Sequence, residues 1–213
     1  MKIYAIAGLG ADERVFQNIS LDYPVHMIKW IDPKPNENLE EYAYRISIQI
    51  NTKEDFVLIG VSFGGMLAIA SQKYLHPKLT ILISSARNKY DIPILFRWIG
   101  KTKFLELIPH SWMKLPKGLA IWLFDARQKE LLLSIVEDSD LHFLKWALIA
   151  ISRWKEEQIY DVLSIHGTKD KLIPFPKGGG AILIKNTGHF MIVDNAEALS
   201  KILNENIKNI KKE

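Results

Sequence analysis

The sequence predicts an α/β fold built on a mostly parallel sheet, and three observations support this prediction. Short apolar segments rich in β-branched residues alternate with segments of helical periodicity over residues 1–85 and again over residues 159–213. Residues 56–59 are apolar at every position, as expected of a strand buried on both faces. A glycine-rich turn at residues 60–65 joins that strand to a helix. This alternation predicts right-handed crossovers between parallel strands.

Composition narrows the possible classes of protein. The 213 residues are 48% hydrophobic, which is enough for the core of a single domain. The net charge of +4 comes without a basic stripe interleaved with aromatic residues, so no nucleic-acid partner is expected. The absence of cysteine excludes disulfides and thiolate metal sites and fits a cytoplasmic location. No stretch approaches the roughly 20 apolar residues of a membrane span.

The regular elements outside the middle of the chain are predicted from apolar periodicity and from flanking turn residues. Strands are predicted at residues 2–7, 24–31, 56–59, 79–84, 162–166 and 181–185, and helices at residues 39–50, 63–74 and 196–207. Asp12 is placed to cap a short helix through Val15 and Phe16, and an Asn-Glu-Asn stretch precedes the helix at residue 39. Six strands are therefore expected.

Residues 86–158 differ from the rest of the chain and are predicted to form a helical cap inserted in the core. They are too many for one crossover and contain five of the six tryptophans. Helices are expected at residues 94–99, 119–124, 131–136 and 141–151. Trp98 and Trp122 are candidates to line an apolar acyl or aromatic pocket, although packing of the cap on the sheet also accounts for such residues. His110 and His142 lack metal-ligand spacing, so no metal is expected.

Ser62 is the candidate nucleophile because it stands at the turn between a predicted strand and a predicted helix. Gly60 and Gly64 flank it and complete the pattern G-x-S-x-G, which gains meaning only in this strand-to-helix context. The first amide of the helix, that of Phe63, points towards negative charge developing beside the serine. The amide of Leu9, in a glycine loop after the first strand, is the candidate second donor, whereas the G-x-G-x-x-G pattern of a dinucleotide site is absent.

An acid and a base follow the serine in the chain. Asp170 lies just after the strand at residues 162–166, and His189 just after the strand at residues 181–185. Both loops belong to the edge of the sheet on which Ser62 lies, because the carboxyl ends of parallel strands meet there. The order nucleophile, acid, base is the one associated with this type of serine turn.

These motifs together resemble the α/β-hydrolase superfamily. The residues that carry the resemblance are G-V-S-F-G-G at residues 60–65, A-G-L-G at residues 7–10, H-G-T-K-D-K-L-I-P at residues 166–174 and T-G-H-F at residues 187–190. The resemblance implies Ser62 as nucleophile, His189 as general base, Asp170 as the acid that orients it, and the Leu9 and Phe63 amides as oxyanion hole. It also implies an α/β-hydrolase fold that needs no cofactor.

The chain departs from the family pattern at three places. Ala7 stands where many members have histidine, and the link over residues 174–180 is a loop where a helix is common. The first two strands of the usual sheet have no counterpart, which implies a reduced six-stranded core. The expected domain organisation is a core of residues 1–85 and 159–213 with the cap of residues 86–158.

The expected activity is hydrolysis of a carboxylic ester, thioester or lactone of a small apolar acyl or aromatic substrate, through an acyl-enzyme on Ser62. The same residues also fit acyl transfer or cofactor-free peroxide chemistry, and the fold fits a small-molecule receptor with little turnover. Three further residues remain open. Arg87 is a candidate to bind a substrate carboxylate, Asp91 is a candidate to replace Asp170, and His166 has no assigned role. The oligomeric state does not follow from the sequence.

Overall fold

A six-stranded sheet lies at the centre of the computed structural model, which describes residues 1–175 and 179–210. Its strands are β1 (Lys2–Ile6), β2 (Val25–Met27), β3 (Phe56–Val61), β4 (Leu79–Ile83), β5 (Leu163–Gly167) and β6 (Ala181–Ile184). The order is β2-β1-β3-β4-β5-β6, and every pairing between neighbours in the described sheet is parallel. The predicted α/β class and six-stranded sheet are confirmed.

Helices cover the sheet and fill the middle of the chain. In chain order they are α1 (Leu39–Ser47), α2 (Phe63–Ser71), α3 (Ile94–Gly100), α4 (Phe104–Leu107), α5 (Lys117–Phe124), α6 (Lys129–Asp138), α7 (Leu141–Ser152), α8 (Met191–Asp194) and α9 (Ala196–Asn209). Short 3-10 turns occupy Glu13–Phe16, Lys89–Asp91 and His110–Met113. None of the helices in the described part of the chain combines the length and the apolar character that a membrane crossing requires.

The two faces of the sheet belong to two separate apolar clusters. Along β3, Leu58 joins a cluster with Tyr42 of α1, whereas Val57 and Ile59 join another with Leu203 of α9. Successive side chains of a strand point to opposite faces, so a strand covered on both sides must be apolar throughout. This explains why every residue of β3 is buried.

The start of α1 agrees with its predicted cap. The Asn38 side chain accepts from the Glu41 amide, and the Glu41 carboxylate accepts from the Asn38 amide. This reciprocal pair satisfies two backbone donors that a helix start otherwise leaves free. The helix ends at Ser47, earlier than the predicted end at residue 50, because the last residues form a tighter turn.

The second strand is shorter than its prediction over residues 24–31. It ends at Met27, and the indole N–H of Trp30 donates to the carbonyl of Ala11 at 2.8 Å. This strand is at the edge of the sheet, where only one neighbour holds it. The apolar residues that follow it pack as a loop over the glycine turn after β1.

Residues 94–152, which we call the helical segment, contain helices α3 to α7. Helices α3, α5, α6 and α7 are near their predicted positions. Helix α4 was missed, because four residues are too few to display helical periodicity. On one side α3, α4 and the His110–Met113 turn pack against α7, and α5 packs against α6. The division into core and cap stays a prediction. The predicted loop over residues 174–180 includes residues 176–178, which lie outside the described residues.

Candidate active site

Ser62 makes the turn between β3 and α2 by itself, since the strand ends at Val61 and the helix begins at Phe63. Its φ of 52° and ψ of −118° lie in a region that residues with a side chain rarely occupy. Two hydrogen bonds hold it there. The Ser62 amide donates to the carbonyl of Ile83 at 2.9 Å, and the Ser85 hydroxyl donates to the Ser62 carbonyl at 2.6 Å.

The glycines around Ser62 are needed because α2 lies directly on the sheet. A Cβ atom at Gly64 would stand 2.3 Å from the carbonyl oxygen of Ala7 in the chain after β1. A Cβ atom at Gly60 would stand 2.4 Å from the Cα atom of Gly65. Any side chain at these positions would push the helix away from the strand, so the G-x-S-x-G spacing follows from close packing of backbone on backbone.

His189 connects the serine to Asp170. Its Nε2 atom lies 2.8 Å from the Oγ atom of Ser62, and its Nδ1 atom lies 2.8 Å from the Oδ2 atom of Asp170. An ionised carboxylate can only accept, so the ring proton belongs on Nδ1. This tautomer leaves Nε2 free to accept the hydrogen bond of the serine hydroxyl.

Asp170 is buried and is held by its own loop. Its Oδ1 atom accepts from the Leu172 amide at 3.0 Å and from the Ile173 amide at 2.9 Å, so both carboxylate oxygens have partners. The Lys169 amide donates to the carbonyl of Thr187 at 2.8 Å. This bond ties the loop after β5 to the loop that bears the histidine, which explains how two residues from different loops meet.

The two amides predicted as oxyanion donors lie beside the serine. Phe63 is the first residue of α2, and Leu9 follows Gly8, where an added Cβ atom would lie 3.4 Å from the Cβ atom of Ser62. Within the described residues neither amide donates to a protein acceptor. Both residues line the same cavity as Ser62. Their role as oxyanion donors stays a prediction that these positions are compatible with.

A cavity of about 400 Å³ opens on Ser62 and His189. Its walls come from α3, α5, α6 and α7, with side chains such as Phe96, Leu123 and Leu148, and from the loop after β5. Nearly all of these side chains are apolar. Such a cavity accommodates an apolar group next to the serine and excludes the water that would otherwise solvate it.

Lys171 is the only lysine or arginine among the described residues that line this cavity. Its ammonium group donates to the carbonyl of Trp122 at 2.8 Å and lies 3.6 Å from the Asp125 carboxylate. The positive charge of Lys171 is thus already paired with Asp125. The described lining contains no carboxylate that could pair with a cationic substrate, so the cavity favours a neutral substrate.

Two candidate pocket residues are not among the described residues that line this cavity, and their role in substrate binding stays a prediction. Trp98 and Trp122 are 64% and 58% exposed. They lie on α3 and α5, which turn other residues, Phe96 and Leu123, towards the cavity. A helix presents different residues to its two sides, and periodicity alone does not tell which side meets the pocket.

Arg87 is likewise absent from the described lining, because it is engaged elsewhere. Its Nε atom donates to Asp91 Oδ2 at 3.1 Å and its guanidinium donates to the carbonyl of Gly179 at 3.1 Å. The Asp91 carboxylate therefore forms an ion pair with Arg87. It is Asp170, not Asp91, that meets His189.

His166 is fully buried at the end of β5, and neither of its ring nitrogens has a hydrogen-bond partner among the described residues. Burial lowers its pKa below 6.5, although the nearby Asp170 charge acts in the opposite direction. The cause is that a buried imidazolium loses its hydration. We therefore describe His166 as a neutral core residue near the acid.

One neighbour of the histidine was missed by sequence reasoning. The ring of Phe124, at the end of α5, meets the His189 ring edge to face with 5.3 Å between centroids. The Phe190 amide donates to the Phe124 carbonyl at 3.1 Å, and a Cβ atom at Gly188 would collide with Asp125. Residues far apart in sequence make this contact, and no local pattern marks it.

The described residues contain no group of three or more histidine, cysteine, aspartate or glutamate side chains able to hold a metal ion. His110 and His142, isolated in the sequence, do stack on each other with 3.9 Å between ring centroids. Both are exposed, and neither is among the described residues that line the cavity beside Ser62.

The parallel sheet, the strained serine turn and the helices over it define the class of α/β proteins with a nucleophile-type turn at the carboxyl edge of the sheet. A model of the family described as "Alpha/beta hydrolase family" matches residues 4–202. The chain belongs to this family. No match was found among curated proteins.

Solved structures agree with the fold at low sequence identity. A putative aryl esterase from Burkholderia cenocepacia is 14% identical, with 100% of this chain and 91% of that chain covered and a TM-score of 0.72. A putative lipase from Acinetobacter baumannii is 13% identical, with coverages of 99% and 84% and a TM-score of 0.71. A thermophilic esterase from Thermogutta terrifontis is 13% identical, with coverages of 99% and 90% and a TM-score of 0.68.

Proposed function

We propose that this protein is a serine hydrolase that cleaves a carboxylic ester of a small apolar acyl or aromatic substrate. One observation supports the proposal most: Ser62 Oγ, His189 and Asp170 are linked by two 2.8 Å contacts at the edge of an apolar cavity. A serine hydroxyl is a weak nucleophile at neutral pH. A base within hydrogen-bond distance, itself oriented by a carboxylate, is the arrangement that activates it.

The first half of the proposed reaction forms an acyl-enzyme. Ser62 Oγ attacks the ester carbonyl carbon while its proton moves to Nε2 of His189, and Asp170 stabilises the resulting imidazolium. The negative oxygen of the tetrahedral intermediate accepts from the amides of Leu9 and Phe63. Such a donor contributes about 3 kcal/mol in comparable sites. The intermediate then collapses, the carbon–oxygen bond of the ester breaks, and the leaving alcohol takes the proton from His189.

The second half releases the acid. A water molecule enters, gives its proton to Nε2 of His189 and attacks the acyl carbon, and the same two amides hold the negative oxygen again. Collapse of this intermediate returns the proton to Ser62 Oγ and frees the carboxylic acid. Apart from the ester and this one water molecule, neither half requires a further reactant.

The size and polarity of the cavity support a small apolar substrate. Ligand pockets are typically about 300–1,000 Å³, and this one, at about 400 Å³, is near the lower end. Structures similar in fold are described as an aryl esterase, a lipase and an esterase, which is compatible with ester substrates. We therefore favour short acyl or aromatic esters over long-chain ones.

A substrate panel tests the proposal. The purified full chain is assayed with p-nitrophenyl esters of increasing acyl length, with matched thioesters and lactones beside them, and Ser62→Ala is assayed in parallel. We expect turnover of short esters and none by the variant. Turnover by Ser62→Ala, or no turnover of any acyl substrate, would contradict the proposal.

Two further measurements separate the rival functions. A fluorophosphonate probe should label Ser62 rapidly, whereas slow labelling with tight binding of a small apolar ligand would indicate a receptor. Product analysis with an added alcohol or with peroxide distinguishes acyl transfer and perhydrolysis from hydrolysis, because the acyl-enzyme is common to all of them.

A further inference from the structure

Large apolar side chains are exposed in one part of the chain far more than elsewhere. Eight lie within residues 94–122, whereas nine are spread over all other described residues. We call these eight the cap face: Ile94, Leu95, Trp98, Phe104, Leu107, Trp112, Leu119 and Trp122. Single exposed apolar residues are ordinary, but a concentration of them marks an interaction surface.

The cap face is the outer side of the cavity wall. Helices α3 and α4 and the His110–Met113 turn pack with one side against α7, which leaves the other side uncovered. Leu107 and Trp112 are 80% and 76% exposed. Trp112 is followed in the chain by Met113, and Leu95 by Phe96, and both Met113 and Phe96 line the cavity from within. Whatever covers the cap face therefore lies against the wall of the proposed active site.

The same segment carries a strong positive charge. Residues 94–122 contain five cationic side chains, Arg97, Lys101, Lys103, Lys114 and Lys117, and a single acidic one. That acid, Glu106, is paired with Arg153 at 2.5 Å. Cations also lie over the exposed indoles, since the Lys101 ammonium is 5.5 Å from the Trp98 ring centre. Large apolar groups and cationic side chains are thus interspersed along this one segment.

We propose that the cap face docks on the surface of a lipid bilayer that contains anionic lipids. Tryptophan is the side chain that favours the boundary between headgroups and acyl chains, and lysine stems reach from there to the phosphates. A surface with aromatic and leucine side chains among lysines matches this boundary. Each lysine or arginine near an anionic membrane adds about a fivefold gain in binding.

Two other occupants fit the cap face less well. Interfaces between proteins are depleted in lysine, whereas lysine is the main charged residue on this surface. A second copy in a symmetric dimer would bring the same cationic patch against itself. Like charges would then oppose one another across the contact. Charge complementarity therefore favours the lipid surface.

Docking on a membrane does not require ester hydrolysis, so it can be measured with a variant that lacks the proposed nucleophile. The full chain with Ser62→Ala is mixed with vesicles of phosphatidylcholine alone or of phosphatidylcholine with phosphatidylglycerol, and the bound share is measured by sedimentation. We expect binding to the anionic vesicles that falls as salt rises, and little binding to the neutral ones. The same result is expected for the chain with Ser62 intact.

Variants of the cap face have matched controls elsewhere on the surface. Lys103→Gln with Lys114→Gln should weaken binding by about 25-fold, at about fivefold for each charge. Trp98→Ala with Trp112→Ala should weaken it by at least about tenfold through lost apolar burial. The controls are Lys53→Gln and the pair Tyr44→Ala and Ile48→Ala, which remove similar exposed groups outside residues 94–122 and should leave binding unchanged.

Several outcomes would overturn the proposal. Absence of binding, equal binding to neutral vesicles, or equal loss in the control variants would each reject it. Light scattering on the same samples tests for a dimer that Trp98→Ala with Trp112→Ala dissociates, and salt-sensitive binding to an acidic carrier protein without any binding to vesicles would assign the surface to a protein partner. Circular dichroism establishes that each variant is folded. Loss of esterase activity alone would have no bearing on docking.

Discussion

The central strand of the sheet and two helices of the helical segment differ in how many of their residues are buried. All six residues of β3 are buried, whereas α4 has no buried residue and α3 buries only Gly100. The centre of the sheet is packed from both faces, and its serine turn is held by backbone contacts that leave no room for a side chain at the flanking glycines. The helical segment touches the rest of the protein on one side. Substitutions in the sheet should therefore affect folding and chemistry, and substitutions on the helical segment should affect recognition.

The largest expected difference between the two regions is in activity. Ser62→Ala, or His189→Ala, should lower kcat by about 10⁶-fold, because nucleophile and base act as one unit. The exposed residue Ser111 of the helical segment is the matched control, and Ser111→Ala should leave kcat unchanged. Steady-state kinetics on the best ester of the panel measures both. A fall of only tenfold for Ser62→Ala would show that another group is the nucleophile.

The choice of acid gives the next largest effect. Asp170→Asn should lower kcat by about 10⁴-fold, since an amide at this place favours the wrong tautomer of His189. Asp91→Asn removes the rival carboxylate, whose contact in the structure is with Arg87, and should change kcat by less than about tenfold. Equal losses from the two variants, or a larger loss from Asp91→Asn, would contradict the assignment of Asp170.

Two glycines contrast the packing of the regions directly. Gly64→Ala places a Cβ atom 2.3 Å from a backbone oxygen of the sheet and should lower the free energy of unfolding by about 2–3 kcal/mol. Gly118→Ala in α5 meets open space and should raise it by about 0.5 kcal/mol, because alanine restricts the unfolded chain. Urea unfolding of the two variants beside the parent protein measures both. Equal effects would mean that α2 can move off the sheet.

The smallest expected effect concerns His166 and pH. Burial lowers its pKa below 6.5 in the folded protein, so the unfolded chain binds more protons as pH falls below about 6.5. Stability that is present above this pH is therefore lost below it. His166→Gln should reduce this loss, measured as the change in urea midpoint between pH 8 and pH 5. A loss between pH 8 and pH 5 as large in His166→Gln as in the parent protein would contradict the role of burial.

Most of the sheet and of the candidate site could be predicted, because both have local signals. A strand buried on both faces must be apolar, and a helix pressed on it requires glycine at fixed positions, so β3 and the Ser62 turn are visible in the sequence. Asp170 and His189 follow strands directly, and parallel strands place such loops at one edge. Their presence at one edge of the sheet could therefore be expected, whereas the 2.8 Å contact between them is an observation of the structure.

The helical segment was predicted only in outline. Its helices have apolar periodicity, but which side of α3 or α5 meets the cavity depends on neighbours far away in the chain. Phe96 and Leu123 line the cavity, whereas Trp98 and Trp122 are exposed. The contact of Phe124 with His189 likewise joins segments that are far apart in the chain, and periodicity does not indicate it. Arg87 was a candidate to bind a substrate carboxylate, and in the structure its guanidinium donates to Asp91 and to the carbonyl of Gly179.

By itself, the sequence of this protein determined the order of its strands and helices, the glycines at its sharp turn and the residue types of its acid, base and nucleophile. These are consequences of short-range sterics and of the two-residue and 3.6-residue periods of strand and helix. Only the tertiary structure decided the walls of the cavity, the partner of each carboxylate and the surface left exposed on the helices. Those depend on contacts between distant segments, which periodicity within one segment does not encode.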